Sequence, residues 1–256
     1  MKNRIVIKIG TNVLTDAYGK LDYKIIESLV DDIAKIKKQG KEILLVTSGA
    51  IGAGMAELNI VKRPKEVKMQ QACAAVGQSI LISKYGQFFN KHNIKVAQIL
   101  LTYDNLSDTR SEINFGNSIN TLLKLNAIPI INENDPISIN EIGPSFGDND
   151  KLSAMVAKEV KAEILIILTV VNGLYDKDPE SKDAKIIRDV HKFDNKIINL
   201  GGKSMLGVGG IKSKIAAAKL ATEAGILTIM ANGKRKSTLI ELNKGKKLGT
   251  IFYPKK

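Results

Sequence analysis

The sequence predicts an α/β fold: a three-layer α/β/α sandwich around a largely parallel central sheet. Apolar runs of strand length alternate with helical-period segments along the chain, and these runs are continuous Val, Ile and Leu stretches. Continuous apolar strands are buried on both faces, and strands separated by helices pair in parallel. The predicted strands are Arg4–Ile9, Glu42–Thr47, 95–101, 127–131, 163–169 and 227–230.

The remaining elements follow from periodicity and composition. The clearest helix is predicted over 22–39, where apolar residues recur on one face and Gly40 ends the pattern. Residues 172–195 carry Gly, Asp, Pro and Lys between short apolar pieces, which predicts a hairpin or a surface excursion. Residues 249–253 predict a final edge strand. We therefore expect a single domain over residues 1–256, with no separate carboxy-terminal domain.

Length and composition limit the class of protein. With 256 residues and 44% hydrophobic content, the chain has enough apolar surface for a large core. No apolar stretch approaches the roughly 20 residues that span a bilayer, and no signal-peptide region precedes the first strand, so we expect a cytoplasmic protein. Cys73 is the single cysteine, which predicts a small buried apolar residue. The two histidines are isolated, so no metal cage or histidine-based triad is predicted.

The formal net charge of +13 raises the question of nucleic-acid binding. The lysines are scattered over nearly every predicted helix and loop, there is no Trp, and no aromatic residues interleave with a basic stretch. This distribution favours a solvated lysine surface that helps to attract anionic substrates over direct nucleic-acid function.

An apolar run ends abruptly in four polar or charged residues, Asn132, Glu133, Asn134 and Asp135. A buried strand looks like this when it delivers a binding site at its carboxyl end, because such groups are costly to bury without a ligand or cation. The alternative is an Asn/Asp loop that makes its own turn hydrogen bonds.

The first strand contains Lys8 within an apolar run, followed by Gly10. Burying an ammonium group without an anion is costly, so Lys8 either extends to solvent at the strand end or faces something negative. Gly10 allows a ligand to approach the backbone closely.

The second strand leads into a turn rich in glycine and hydroxyl groups over residues 47–54. Backbone N–H groups at such a strand-to-helix turn suit an anion. The spacing Gly-x-x-Gly-x-Gly is the reverse of the dinucleotide-binding fingerprint, so a phosphate or carboxylate cradle is the better interpretation.

Two further turns precede predicted helices. In Gly147-Asp148-Asn149-Asp150 one Asp serves as the N-cap, and the surplus polar groups favour binding an amino group, a metal-nucleotide or a catalytic lysine. In 207–214, lysines in the first helical turn oppose the helix dipole unless an anion binds there, which indicates a nucleotide-phosphate site. The alternative for 207–214 is an ordinary flexible loop.

Five ordered motifs, starting at Lys8, Thr47, Ala75, Ile131 and Gly147, resemble the glutamate 5-kinases of the amino acid kinase family. The resemblance covers essentially the whole chain. It implies ATP-dependent phosphorylation of the γ-carboxylate of L-glutamate, the first step toward proline. It also implies Mg²⁺ held mainly by ATP phosphates, a cytoplasmic homo-oligomer and feedback inhibition by proline. Residues 1–160 are expected to form the glutamate part and 161–256 the ATP part, without the PUA domain of many bacterial members.

The resemblance also implies the site residues. Glutamate is expected to bind Ser48, Gly49, Ala50, Asn134, Asp135 and Asn149. Lys8 and Lys214 are expected to be the two cations on the transferring phosphoryl group, oriented by Asp150. The expected ATP side comprises Lys8, Gly10, Thr169, Val170, Gly207, Val208, Gly209, Gly210, Ile211, Lys212, Ser213 and Lys214.

Two departures and the chemistry itself bear on this interpretation. Val170 stands where the family commonly has Asp, and residues 207–211 read Gly-Val-Gly-Gly-Ile instead of Gly-Thr-Gly-Gly-Met. A carboxylate with a pKa of about 4.3 is ionised at neutral pH, so its phosphorylation needs no general base.

The competing functions are a kinase of the same fold acting on acetylglutamate, aspartate, carbamate or a nucleoside monophosphate, and a basic RNA-binding protein without catalysis. Asp135 favours free glutamate because it suits a free α-amino group.

Overall fold

The structure is a computed structural model that describes residues 4–16, 19–138, 149–200 and 210–255. The strands in these ranges are β1 (Arg4–Ile9), β2 (Glu42–Thr47), β3 (Val96–Leu101), β4 (Ile128–Glu133), β5 (Ile164–Thr169), β6 (Leu174–Tyr175), β7 (Ile186–Ile187), β8 (Asp189–Val190), β9 (Leu227–Asn232) and β10 (Thr250–Phe252). The α-helices are α1 (Thr11–Leu14), α2 (Tyr23–Lys37), α3 (Ala50–Glu57), α4 (Val67–Asn90), α5 (Thr109–Lys124), α6 (Asn149–Glu159), α7 (Asn195–Asn199), α8 (Ile211–Glu223) and α9 (Thr238–Asn243).

The main sheet has eight strands in the order β3-β4-β2-β1-β5-β9-β10-β8. From β3 to β9 all neighbouring strands pair in parallel, and helices cover both faces, so the predicted three-layer α/β/α architecture is confirmed. Because the paired strands are parallel, their carboxyl ends meet at one edge of the sheet. Ile9 is in register with Thr47 on one side and Leu168 on the other.

The predicted strands are observed with small shifts at their ends. β4 continues to Glu133 because Asn132 and Glu133 still pair with β3, so these two polar residues belong to the strand. The predicted helix 22–39 is α2, whose N-cap Asp22 accepts hydrogen bonds from the backbone N–H groups of Lys24 and Ile25. The hairpin predicted within 172–195 is confirmed as the antiparallel pair β6–β7.

The prediction that the last strand lies at the sheet edge is wrong. β10 pairs antiparallel with β9 on one side and parallel with β8 on the other. The two-residue strand β8 is too short and too polar to be recognised from its sequence, yet it covers the edge that β10 would otherwise expose.

Alternation along β1 decides where Lys8 points. Ile7 belongs to the apolar cluster beneath α2 and α4, whereas Val6 belongs to the cluster beneath α5, α6 and α8. Successive side chains of a strand face opposite sides of the sheet. Lys8 therefore shares a face with Val6 and meets α6 and α8.

Helices α3 and α4 are in backbone contact through two glycines. A Cβ atom on Gly77 would lie 1.9 Å from the carbonyl oxygen of Ala50, and one on Gly54 would lie 1.8 Å from that of Cys73. Cys73 is fully buried, as predicted. These contacts fix the start of α3, which follows the turn after β2.

None of the helices in the described ranges is both long and apolar enough to cross a bilayer.

Candidate active site

A cavity of about 860 Å³ opens at the carboxyl ends of β1, β2, β4 and β5. This volume lies in the usual range for small-molecule sites. The cavity brings together residues from motifs that are far apart in sequence. The predicted site residues that line it are Lys8, Gly10, Ser48, Gly49, Ala50, Asp135, Asn149, Asp150, Thr169, Val170, Gly210, Ile211 and Lys214.

Two lysines share one buried carboxylate in this cavity. Lys8 Nζ lies 2.5 Å from Asp150 Oδ1, and Lys214 Nζ lies 3.0 Å from Asp150 Oδ2. The side chain of Asp150 is fully buried. Burial alone would raise the pKa of Asp150, but the charges of Lys8 and then Lys214 outweigh it and hold that pKa below its ordinary value. Asp150 is therefore an anion that fixes both ammonium groups.

The position of Asp150 follows from the helices that carry the three groups. Asp150 lies in the first turn of α6, and Lys214 lies in the first turn of α8. The hydroxyl of Ser213 donates to Asp150 Oδ2 at 2.7 Å. The positive end of a helix dipole stabilises a carboxylate. It repels a cation, so a lysine in the first turn of a helix is favourable only beside an anion. Asp150 supplies that anion to Lys214.

The other end of the cavity holds a buried amide network. Asn149 Nδ2 lies within hydrogen-bond distance of the Thr47 carbonyl oxygen at 2.9 Å, Ser48 Oγ at 3.0 Å and Asn132 Oδ1 at 2.9 Å. Asn149 Oδ1 is buried and has no hydrogen-bond partner in the described part of the chain. A buried acceptor without a partner is unfavourable, so a ligand that donates a hydrogen bond there is favoured.

The loop between β2 and α3 adds a turn that only glycine adopts readily. Gly49 has φ +107° and is the N-cap of α3. The first N–H groups of a helix lack partners within the helix, so α3 presents donors beside Ser48. This arrangement suits a carboxylate, as the sequence of the turn predicts.

Asp135 combines burial with a neighbouring charge of the same sign. Burial, and then the charge of Glu133, raise the pKa of Asp135 to about 7, and the guanidinium of Arg63 opposes them. Glu133 Oε1 accepts a hydrogen bond from the Ser138 hydroxyl at 2.9 Å, while its Oε2 has no partner among the described residues. Two buried acids that repel each other favour a cationic group of a ligand beside Asp135, which lines the cavity.

The wall opposite these amides comes from the end of β5 and from the β6–β7 hairpin. Thr169 and Val170 lie at the strand end, and hairpin residues from Leu174 to Glu180 line the cavity. Val170 is 40% exposed. The start of α8, with Gly210 and Ile211, closes this side. The cavity thus has a polar end near β2 and β4 and a second end near β5 and α8.

Some predicted residues are not brought to the cavity. The chain turns after Glu133, where the Asn134 carbonyl accepts from the N–H groups of Ile137 and Ser138, and Asn134 does not line the cavity. Lys212 is exposed on α8 and Ser213 faces Asp150; neither lines the cavity. Gly207, Val208 and Gly209, like Gly147 and Asp148, lie outside the described residues.

Several lining residues were not assigned from the sequence. Asn132 was part of a motif without a role, yet it lines the cavity and bonds to Asn149. Its position near the carboxyl end of β4 is the feature by which the sequence could have identified it. Arg63 and Tyr175 line the cavity from a loop and from the hairpin, and no sequence pattern marks either of them.

The described residues offer no group of three or more His, Cys, Asp or Glu side chains that holds a metal ion. Asp150 is already engaged by two lysines. The described side chains therefore do not form a metal cage by themselves, although Asp176 and Asp178 line the cavity on the β5 side.

Comparisons with known proteins agree on the family. Residues 3–232 match the model of the amino acid kinase family. The chain is 47% identical to a glutamate 5-kinase of Methanosarcina barkeri over 98% of this chain and 68% of the relative. It is 44% identical to a glutamate 5-kinase of Clostridium perfringens over 99% of this chain and 96% of the relative.

Solved structures share the fold at low sequence identity. Carbamate kinase from Giardia lamblia bound to AMP-PNP matches with a TM-score of 0.71 and 17% identity over 99% of each chain. The product complex of T. acidophilum isopentenyl phosphate kinase matches with a TM-score of 0.68 and 19% identity over 97% of this chain and 99% of that chain. The family model and the sequence relatives establish that the chain belongs to the amino acid kinase family and, within it, to the glutamate 5-kinases.

Proposed function

We propose that this protein transfers the γ-phosphoryl group of ATP to the γ-carboxylate of L-glutamate. One carboxylate oxygen forms a bond to phosphorus while the bond to the β-phosphate oxygen breaks, giving glutamyl 5-phosphate and ADP. No proton has to leave the nucleophile, because the carboxylate is already ionised at neutral pH. The relatives named above support this choice of substrate and reaction.

The observation that carries the proposal is the shared carboxylate of Asp150. Lys8 comes from β1 and Lys214 from α8, yet both ammonium groups contact one side chain in the cavity. Two cations held this way suit a phosphoryl group in transfer, whose negative charge spreads over its oxygens. Lys8 and Lys214 are the catalytic residues of the proposal, and Asp150 positions them.

The amino acid is assigned to the end of the cavity near β2 and β4. The carboxylate of Asp135 and Oδ1 of Asn149 are both acceptors and suit an α-ammonium group. The Ser48 hydroxyl and the first N–H groups of α3, at Gly49 and Ala50, suit the carboxylate on the same carbon. We do not extend a glutamate contact to Asn134, because its side chain lies off the cavity.

ATP is assigned to the end near β5 and α8. Thr169, Val170, Gly210 and Ile211 line that end, with Gly10 beside Lys8. In this assignment residues 1–160 supply the amino-acid side of one domain and residues 161–256 supply the nucleotide side. The phosphates of bound ATP would hold Mg²⁺, which would supply charge neutralisation there. We also propose that the protein forms a homo-oligomer, is inhibited by proline and acts in the cytoplasm.

The test is a hydroxylamine trap for the acyl phosphate. The purified protein is incubated with ATP, Mg²⁺ and one acceptor at a time: L-glutamate, N-acetylglutamate, aspartate, carbamate or a nucleoside monophosphate. ADP release is followed in parallel, because it also reports acceptors that give no hydroxamate. We expect hydroxamate with L-glutamate. A signal confined to another acceptor would overturn the substrate, and no turnover with any of them would favour the RNA-binding alternative.

A further inference from the structure

We infer that Gln78 is a positioning residue for the amino-acid substrate, acting through Asn132 on the side-chain amide of Asn149. The inference rests on the proposed function for its substrate. Gln78 lies on α4, does not line the large cavity, and is nearly buried. It reaches the site through two hydrogen bonds between side chains.

The orientation of the Asn132 amide is set by the backbone. The N–H of Glu133 lies 2.9 Å from Asn132 Oδ1, and an N–H group only donates, so the atom facing it must be the oxygen. Asn132 Nδ2 then faces Gln78 Oε1 at 2.6 Å. Gln78 is the acceptor for this donor.

The orientation of the Asn149 amide is set in the same way. The carbonyl oxygen of Thr47 only accepts, so the Asn149 atom 2.9 Å from it must be Nδ2. That nitrogen also lies 2.9 Å from Asn132 Oδ1. The oxygen of Asn149 is therefore the atom left without a partner among the described residues, and it is the acceptor that the substrate's ammonium group requires.

Loss of the Gln78 acceptor breaks the first of the two hydrogen bonds that link Gln78 to Asn149 through Asn132. Asn132 Nδ2 would become a buried donor without a partner, which is unfavourable. A flip of Asn132 would not relieve it, because the flipped amide would place its NH₂ group against the N–H of Glu133. Rotation of Asn132 away from this site is the remaining response, and it removes an acceptor from Asn149.

Gln78 does not line the large cavity, so its effect on glutamate must pass through other side chains. Gln78 lines a second cavity of about 310 Å³ together with Ser79, Gln98, Glu133 and Asp135. Ser79 is its neighbour on α4, is exposed, and its hydroxyl donates to the Val76 carbonyl oxygen at 3.0 Å. Ser79 thus offers a matched control that shares the second cavity and lacks the link to Asn132.

The experiment compares Gln78→Met and Ser79→Ala by steady-state kinetics. Methionine keeps the length of the side chain and replaces the amide oxygen with a thioether sulfur, which is only a weak acceptor. We expect Gln78→Met to raise the KM for glutamate by about tenfold while the KM for ATP stays within about twofold, as for loss of one buried acceptor. Ser79→Ala is expected to stay within about threefold of the wild type for both substrates.

Two results overturn the inference: a wild-type glutamate KM in Gln78→Met, or equal rises of both KM values. Gln78→Ala replaces the methionine variant if that variant does not fold. A crystal structure of the variant gives a readout that does not depend on turnover. Asn132 and Asn149 keeping their wild-type hydrogen bonds in it would also overturn the inference, whereas an inactive wild type would count against the proposed function alone.

Discussion

The carboxylates of Glu133 and Asp135 are both buried at the end of β4, two residues apart, and the charge of Glu133 disfavours ionisation of Asp135. Burial is the larger cause, and together they raise the pKa of Asp135 to about 7. The group proposed to hold the substrate's ammonium therefore titrates near neutral pH. Its charge is present above that pKa and lost below it.

We predict that the KM for glutamate rises about tenfold when the pH falls from 8 to 6, because Asp135 becomes protonated over this range. The γ-carboxylate of glutamate stays ionised throughout, since its pKa is about 4.3. Initial rates at saturating ATP and constant ionic strength give the profile. Glu133→Gln removes the like charge and is expected to move the profile to lower pH. A KM that does not vary with pH would contradict the assignment.

We predict that Asp135→Asn weakens glutamate binding and stabilises the fold above neutral pH. The folded-state pKa of Asp135 is raised, so ionisation of this group opposes folding and stability falls as the pH rises from about 4 to about 7. Asparagine does not ionise and avoids this loss, which amounts to at most about 4 kcal/mol for about three pKa units. Urea unfolding at pH 8 and at pH 5 measures the gain. A variant no more stable than the wild type at pH 8 would contradict the argument.

We predict that Lys214→Ala lowers kcat by about 10³ and leaves the KM for glutamate within severalfold, because its charge is needed mainly as the phosphoryl group transfers. The matched control is Lys219→Ala, an exposed lysine on the same helix. Steady-state kinetics with both variants separate the site charge from the general charge of the helix. An unchanged turnover number in Lys214→Ala would remove this residue from the mechanism.

We predict that Gly77→Ala destabilises the fold by about 3 kcal/mol or prevents folding, because its Cβ would lie 1.9 Å from the carbonyl oxygen of Ala50. Gly86 lies on the same helix, and a Cβ there would meet Val96 Cγ2 at an ordinary 3.8 Å. Gly86→Ala is expected to stabilise by about 0.5–1 kcal/mol through helix propensity. Urea unfolding of both variants checks the pair; equal effects would contradict the backbone contact.

Most of the sheet was predictable because its strands are long apolar runs, which can be recognised from their length and composition. The short strand β8 was not predictable, since Asp189 and Val190 acquire strand geometry only by pairing with β10. The prediction that the last strand lies at the edge of the sheet was wrong for the same reason. Pairing between distant segments is a tertiary property that local sequence does not contain.

The candidate site was predictable where residues follow strand ends or begin helices. Lys8, Asp150 and Lys214 are of this kind, and the structure brings them together. Asn132 and Asn134 show the limit, because both are amides in one motif and only the backbone turn after Glu133 decides which reaches the cavity. Arg63 arrives from a loop whose path depends on the rest of the fold.

The contact of α3 with α4 through Gly54 and Gly77 has a consequence for motion. With carbonyl groups packed directly against glycine Cα atoms, neither helix has a layer of side chains on which to slide past the other. We expect the two helices to travel as a single rigid body during any opening or closing of the substrate end. Any change in the angle between β2 and this pair of helices would have to be taken up by the turn at Gly49, whose backbone angle few other residues adopt.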